Sequence, residues 1–137
     1  IATLMDVLTS LGSDLPQFFR EQKEQQLVFS EDDTSVKLDE EGLNGSIRWL
    51  VPSAQKNKME PILVELGPGG ETDLHDPHEG EEFGYVLSGA ITIALGERRI
   101  KARKSESFYF APDEPHQLLN PGKSTARILW ESTPPTF

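Results

Sequence analysis

His78-Glu79-Gly80-Glu81-Glu82-Phe83-Gly84-Tyr85-Val86-Leu87-Ser88-Gly89 is the most informative run in this 137-residue chain. Its first half is acidic, punctuated by glycine and headed by a histidine. Its second half carries apolar residues up to a Ser-Gly turn signal. The four-residue step from His78 to Glu82 puts both side chains on one face of an extended segment. Neutral imidazole together with a carboxylate suits a divalent metal such as Fe, Mn, Ni, Co or Zn. The chain has three histidines. His75 lies just upstream, in Leu74-His75-Asp76-Pro77, and His116 follows a proline in Pro112-Asp113-Glu114-Pro115-His116. A closed barrel that brought His116 in from a neighbouring strand would complete a three-ligand cluster. The bland alternative is a set of solvated histidines on acidic loops, and spacing alone leaves both open.

Outward from that run, the period of two continues in both directions. Leu27-Val28-Phe29, Val36-Lys37-Leu38, Ile47 to Val51, Ile62 to Leu66 and Glu82 to Leu87 read as strands. Ile91 to Leu95, Arg99 to Ala102, Ser107 to Ala111 and Ala126 to Trp130 follow in the same manner. Turn signals separate them: Asp32-Asp33, Asn44-Gly45, Gly67-Pro68-Gly69-Gly70, Ser88-Gly89, Gly96 and Asn120-Pro121-Gly122. Many short strands at regular turn spacing indicate a sandwich or a closed barrel. Before residue 26 the period is helical. Ile1, Leu4, Met5, Leu8 and Leu11 recur at helical steps, Gly12 sits at a C-cap position, and Ser13-Asp14 can cap a second short helix. That second helix runs from about Leu15 to Glu24, with Pro16 in its first turn and Phe18 and Phe19 as apolar anchors. The one domain boundary therefore falls near residue 25.

Composition narrows the function classes. Thirteen Lys and Arg against 23 Asp and Glu leave a formal net charge of −10. Such a surface repels a phosphate backbone or an anionic membrane, so the chain as given does not read as a nucleic-acid binder. The runs Glu31-Asp32-Asp33 and Asp39-Glu40-Glu41 read as solvated turns. With no cysteine, disulfide scaffolds and thiolate chemistry are excluded. No apolar run approaches the ~20 residues of a membrane span, and no signal peptide heads the chain. The expectation is a cytoplasmic protein of one main domain. The first residue is Ile, which leads to the further expectation that the chain starts inside a longer polypeptide.

The run from His78 to Gly89 resembles the first motif of the cupin superfamily, G-x5-H-x-H-x3,4-E-x6-G. Its second half matches position by position, and Pro115-His116 with Asn120 resembles the H-x3-N ending of the second motif. The segment between the motifs, from Ala90 to about Arg99, is short, as in compact bacterial cupins. The resemblance implies a mainly β cupin fold, the double-stranded β-helix or jelly-roll barrel, over residues 26–137, preceded by two short N-terminal helices. It also implies one divalent ion (Zn, Ni, Fe, Mn or Co) held by His78, Glu82 and His116. There are departures. The family's first histidine is missing, and His75 is one residue too early to replace it unless the loop bulges. Asp76 is a further oxygen donor, and an expected glycine of the second motif is Ser105. The aromatics Tyr85, Phe108 and Phe110 are ligand-pocket candidates. Parity, however, sets Tyr85 beside Phe83 and opposite Glu82, and core packing is the simpler role for Phe108, Tyr109 and Phe110.

Ile1 to Phe19 is similar to the last two helices of a Cro/repressor-type (XRE-like) helix-turn-helix domain, and Trp130 to Phe137 resembles the ending of regulators that join such a domain to a cupin. This second resemblance assigns residues 1–25 to the remnant of a helix-turn-helix domain and its linker. It implies an effector-binding, dimerising sensor domain of a bacterial-type transcriptional regulator that is not an enzyme. The partners expected are a second copy in a homodimer, an unidentified small-molecule effector, and DNA only through a head upstream of Ile1; no membrane is expected. The alternative is a small metal-dependent cupin enzyme, a dioxygenase or isomerase, using the same His78, Glu82 and His116.

Overall fold

The computed structural model describes residues 26–137. The two helices expected over residues 1–24 lie outside the described residues. Nine strands follow: β1 (Ser35–Asp39), β2 (Gly45–Trp49), β3 (Glu60–Leu66), β4 (Glu81–Ser88), β5 (Ala90–Leu95), β6 (Arg98–Arg103), β7 (Ser107–Phe110), β8 (His116–Leu119) and β9 (Ala126–Thr133). They form a six-stranded antiparallel sheet in the order β1-β2-β3-β9-β4-β7 and a three-stranded sheet in the order β6-β5-β8. Single bridges from Glu71 to Leu119 and from His75 to His116 lay residues 71–75 along the free side of β8.

Alternation builds the interior. Along β3, Ile62, Val64 and Leu66 are buried while their neighbours are half-exposed, and β9 repeats this with Ala126, Ile128 and Trp130. Ile91, Ile93 and Leu95 of β5 and Leu118 of β8 join them from the smaller sheet in one continuous core. Each fully buried Ile or Leu contributes about 1.5–3 kcal/mol relative to exposure. Two polar side chains in this interior act as fasteners. Asn120 donates to the carbonyls of Leu66 and Ser124 and accepts the N–H of Gly122, tying the β8–β9 turn to the end of β3. Thr72 Oγ1 accepts the N–H of Leu118, and its carbonyl accepts Gln117 Nε2, which pins residues 71–75 to β8.

Leu27-Val28-Phe29 forms no strand. Leu27 and Val28 are 86% and 82% exposed and Phe29 is half-buried, so among the described residues this apolar run finds no partner strand. In the other direction, β8 was not among the strands read from alternation, although His116 was expected on a neighbouring strand: its residues, His-Gln-Leu-Leu, do not alternate between polar and apolar. The acidic runs have a local role besides solubility. Asp33 accepts the N–H of Ser30, and Asp39 accepts the N–H groups of Glu41 and Gly42, so each shapes the turn it stands in.

Candidate metal centre

Three candidate ligands of two types, imidazole and carboxylate, converge inside the barrel. Glu82 faces inward from the start of β4 and is 1% exposed; His116 opens β8 and is equally buried. His78 lies in the loop before β4, its main chain anchored by its N–H to the carbonyl of Pro112. Their donor atoms all lie within 4.8 Å of one another. His78 Nε2 and His116 Nε2 are each 2.8 Å from the same oxygen, Glu82 Oε2. The second contact misses hydrogen-bond alignment, and His116 Nε2 and Glu82 Oε1 are buried with no partner.

The far sides of the two imidazoles fix what this means. His78 Nδ1 is 2.8 Å from the carbonyl of Glu79, and His116 Nδ1 is 2.9 Å from the carbonyl of Glu114. A carbonyl only accepts, so both Nδ1 atoms carry the proton. In the neutral rings each Nε2 then presents a lone pair to a carboxylate, which is repulsive unless a proton or a cation stands between them. Burial, the largest single effect, lowers the His116 pKa, but the Glu82 carboxylate and the Glu114 carbonyl outweigh it and the net shift is upward. Two imidazole nitrogens with preset tautomers and one buried carboxylate are a donor set that a divalent transition metal or zinc fits.

His75, expected beside these three, is not in the cluster. Its ring stands edge-on to His116 at 5.5 Å and stacks on Trp130 at 5.8 Å, and its Nδ1 is buried without a partner. Burial first, and the nearby His116 second, hold its pKa below the ordinary value. Asp76, which occupies the position two before His78, is exposed. Phe110 packs against His116 at 5.4 Å, and Phe108 stacks on Phe110. Tyr85 alternates out of phase with Glu82 and pairs with Leu129 and Ser107 away from the cluster. Ser105 adopts φ 70°, a left-handed conformation that suits the glycine expected there. The carbonyls of Glu79 and Glu114 were not foreseen, since a backbone group carries no sequence signal. A surface groove of about 450 Å³ bounded by Pro77, His78, Gly80 and Pro112 borders the cluster at His78, the one member with appreciable exposure, at 19%.

Two antiparallel sheets enclosing a His, Glu and His cluster define a small jelly-roll protein with an interior site whose residues could hold a metal ion. The chain belongs to the cupin family: residues 62–131 match the family model described as Cupin domain. Over its whole length it is 31% identical to the HTH-type transcriptional regulator PuuR of Escherichia coli, covering 74% of that protein. Among solved structures, the Cupin_2 domain of an XRE family transcriptional regulator from Enterobacter cloacae superposes with a TM-score of 0.58 and 22% identity, over 66% of this chain and 96% of that one. A predicted oxalate decarboxylase from Thermotoga maritima gives 0.65 and 17%, over 80% of this chain and all of that one. These two likenesses speak to the fold. Among the described residues, no helix is long and apolar enough to cross a membrane.

Proposed function

We propose that this chain is the effector-binding and dimerising domain of a DNA-binding transcriptional regulator, with a divalent cation on His78, Glu82 and His116 as part of its sensing site. The observation that carries the reading is its likeness, along the whole chain, to an HTH-type transcriptional regulator. The acidic balance supports it, because a −10 domain needs a separate basic head to approach DNA. The site supports the sensing half: two carbonyl-set imidazoles facing a buried carboxylate are arranged for a cation. Such an ion supplies a Lewis-acidic anchor for an effector donor atom. The chain's own residues orient that anchor, exclude water from its buried side and leave access through the groove at His78. Effector binding alters DNA affinity only to the extent that it favours one arrangement of the paired heads.

The protein isolated from its own cells tests this. An intact mass several kilodaltons above 15.3 kDa, with basic sequence before Ile1 and retention of duplex DNA, is the expected result. A native chain that begins at Ile1 and turns over small substrates only when metal-loaded would overturn it in favour of the metal-dependent enzyme.

A further inference from the structure

β6 forms an edge of the smaller sheet and carries a charge opposite to that of the chain as a whole. Arg98, Arg99, Lys101, Arg103 and Lys104 are five of the 13 basic residues in a chain of net charge −10. All five are exposed, and among the described residues none takes part in an ion pair. Ala102 is buried against the interior, so Arg99, Lys101 and Arg103 form a row on the outer face, spaced about 7 Å apart.

The main chain of the same three residues is directed outward. Arg103 shows this: its N–H donates to Glu106 Oε1 at 2.7 Å, and its carbonyl accepts the N–H of Glu106 at 2.9 Å. In an antiparallel ladder every second residue turns its N–H and C=O towards the same neighbour. Those of Lys101 and Arg99 therefore point away from β5, as those of Arg103 do, and among the described residues no backbone group pairs with them. Glu106 thus supplies one carboxylate acceptor and one donor to the end of this edge, and the next two positions along it are open. Ile100, between them on the opposite face, is 44% exposed.

We infer that β6 is a docking edge for an extended acidic segment of another protein, which adds a strand beside Arg99 and Lys101. Strand addition answers the free N–H and C=O groups through main-chain hydrogen bonds and sets the register of the side chains. Acidic residues at every second position fall at the spacing of the basic row, and apolar residues between them cover Ile100. Opposite charges across a strand pair attract, and like charges repel. A second copy of β6 is thereby excluded as the occupant, because it would set one basic row against another. Duplex DNA fits less well: a phosphate only accepts, which leaves the edge carbonyls unanswered, and the acidic remainder of the surface repels it. The inference goes beyond the regulator reading and does not depend on it.

A capped peptide alternating glutamate and valine, titrated into the whole chain, tests this by proton–nitrogen NMR and amide hydrogen exchange. Saturable shifts of the Arg99 and Lys101 amide signals are expected, with exchange at those two amides slowed by about 10-fold or more in the complex. Lys101→Glu is expected to weaken binding ~5- to 10-fold, since an attractive cross-strand pair becomes a repulsive one. Replacing the valines of the peptide by proline keeps its charge but removes ladder donors, and is expected to abolish the slowed exchange. Equal binding and equal protection with the proline peptide would reduce the edge to a surface of positive charge and overturn the inference. Duplex DNA that shifts these signals when the acidic peptide does not would assign the row to phosphate instead. No response to either would leave the basic row as protection of the edge against self-pairing, which also overturns it.

Discussion

Glu82 carries the centre of the site because it is a buried carboxylate approached by two imidazoles whose other nitrogens are already committed to carbonyls. Truncating His116→Ala removes one of three ligands, so zinc affinity is expected to fall by more than the ~10–100-fold that orienting partners alone are worth. Calorimetric titration measures this, and an unchanged affinity would show that the cluster is not the metal site. Titration of the metal-free protein separates two histidines of opposite sign. The His75 pKa is lowered from 6.5, chiefly by burial. Its stabilising contribution is thus full above 6.5 and is lost as pH falls towards the folded value. His116 is shifted upward on balance, so its contribution is full below 6.5 and is lost as pH rises through its folded value. His75→Gln is expected to flatten the loss of stability on the acid side and leave the alkaline side unchanged, as read from urea midpoints across that range.

β4 is the strand on which the site depends, because it is held on both sides, by β9 and by β7. Its inward residues are Glu82, Gly84 and Val86. A side chain at position 84 would run into the ring of Phe108 across the strand pair. That ring stacks on Phe110, which packs on His116. Gly84→Val is therefore expected to cost about 1–3 kcal/mol by overpacking, visible as a lower thermal midpoint, and to weaken zinc binding with it. Strands with a strict alternation, such as β3 and β9, were legible from their residues. The residues of β8 do not alternate, and only His116 at their head had been placed on a strand; pairing with β5 and with residues 71–75 makes that segment a strand. The apolar run at Leu27 shows the converse, since β-forming residues do not pair without a neighbouring edge.

The outer face of the larger sheet carries exposed apolar side chains. Phe83 pairs across the strands with Tyr109, and Tyr85 with Leu129, while Leu87 lies further along β4. Phe83, Leu87 and Tyr109 are 41%, 38% and 62% exposed, a contiguous apolar surface of the kind that marks an interaction site. The proposed homodimer buries this face against a second copy. Phe83→Glu combined with Leu87→Glu is expected to yield a folded monomer in sedimentation velocity, with the circular dichroism of the parent protein. A parent protein that already sediments as a monomer would remove the proposal.

The stretch His78 to Gly89, with the second motif at His116 and the alternation along residues 26–137, was enough to state the β architecture, the cupin family and the ligands His78, Glu82 and His116, because alternation and ligand spacing are local properties of an extended chain. Which histidine joins the cluster was not a local matter. His75 and His78 are three residues apart in one acidic loop, yet only His78 reaches Glu82, because Thr72 and the bridge to His116 turn the earlier residue towards Trp130. The proton positions that prepare the site for a cation depend likewise on two backbone carbonyls that only the folded loops present. The small cavity beside His75 assembles Trp49, Trp130 and Thr72 from three separate parts of the chain. Periodicity is written residue by residue, whereas contacts between distant segments arise from packing the two sheets together, and that packing decided the site.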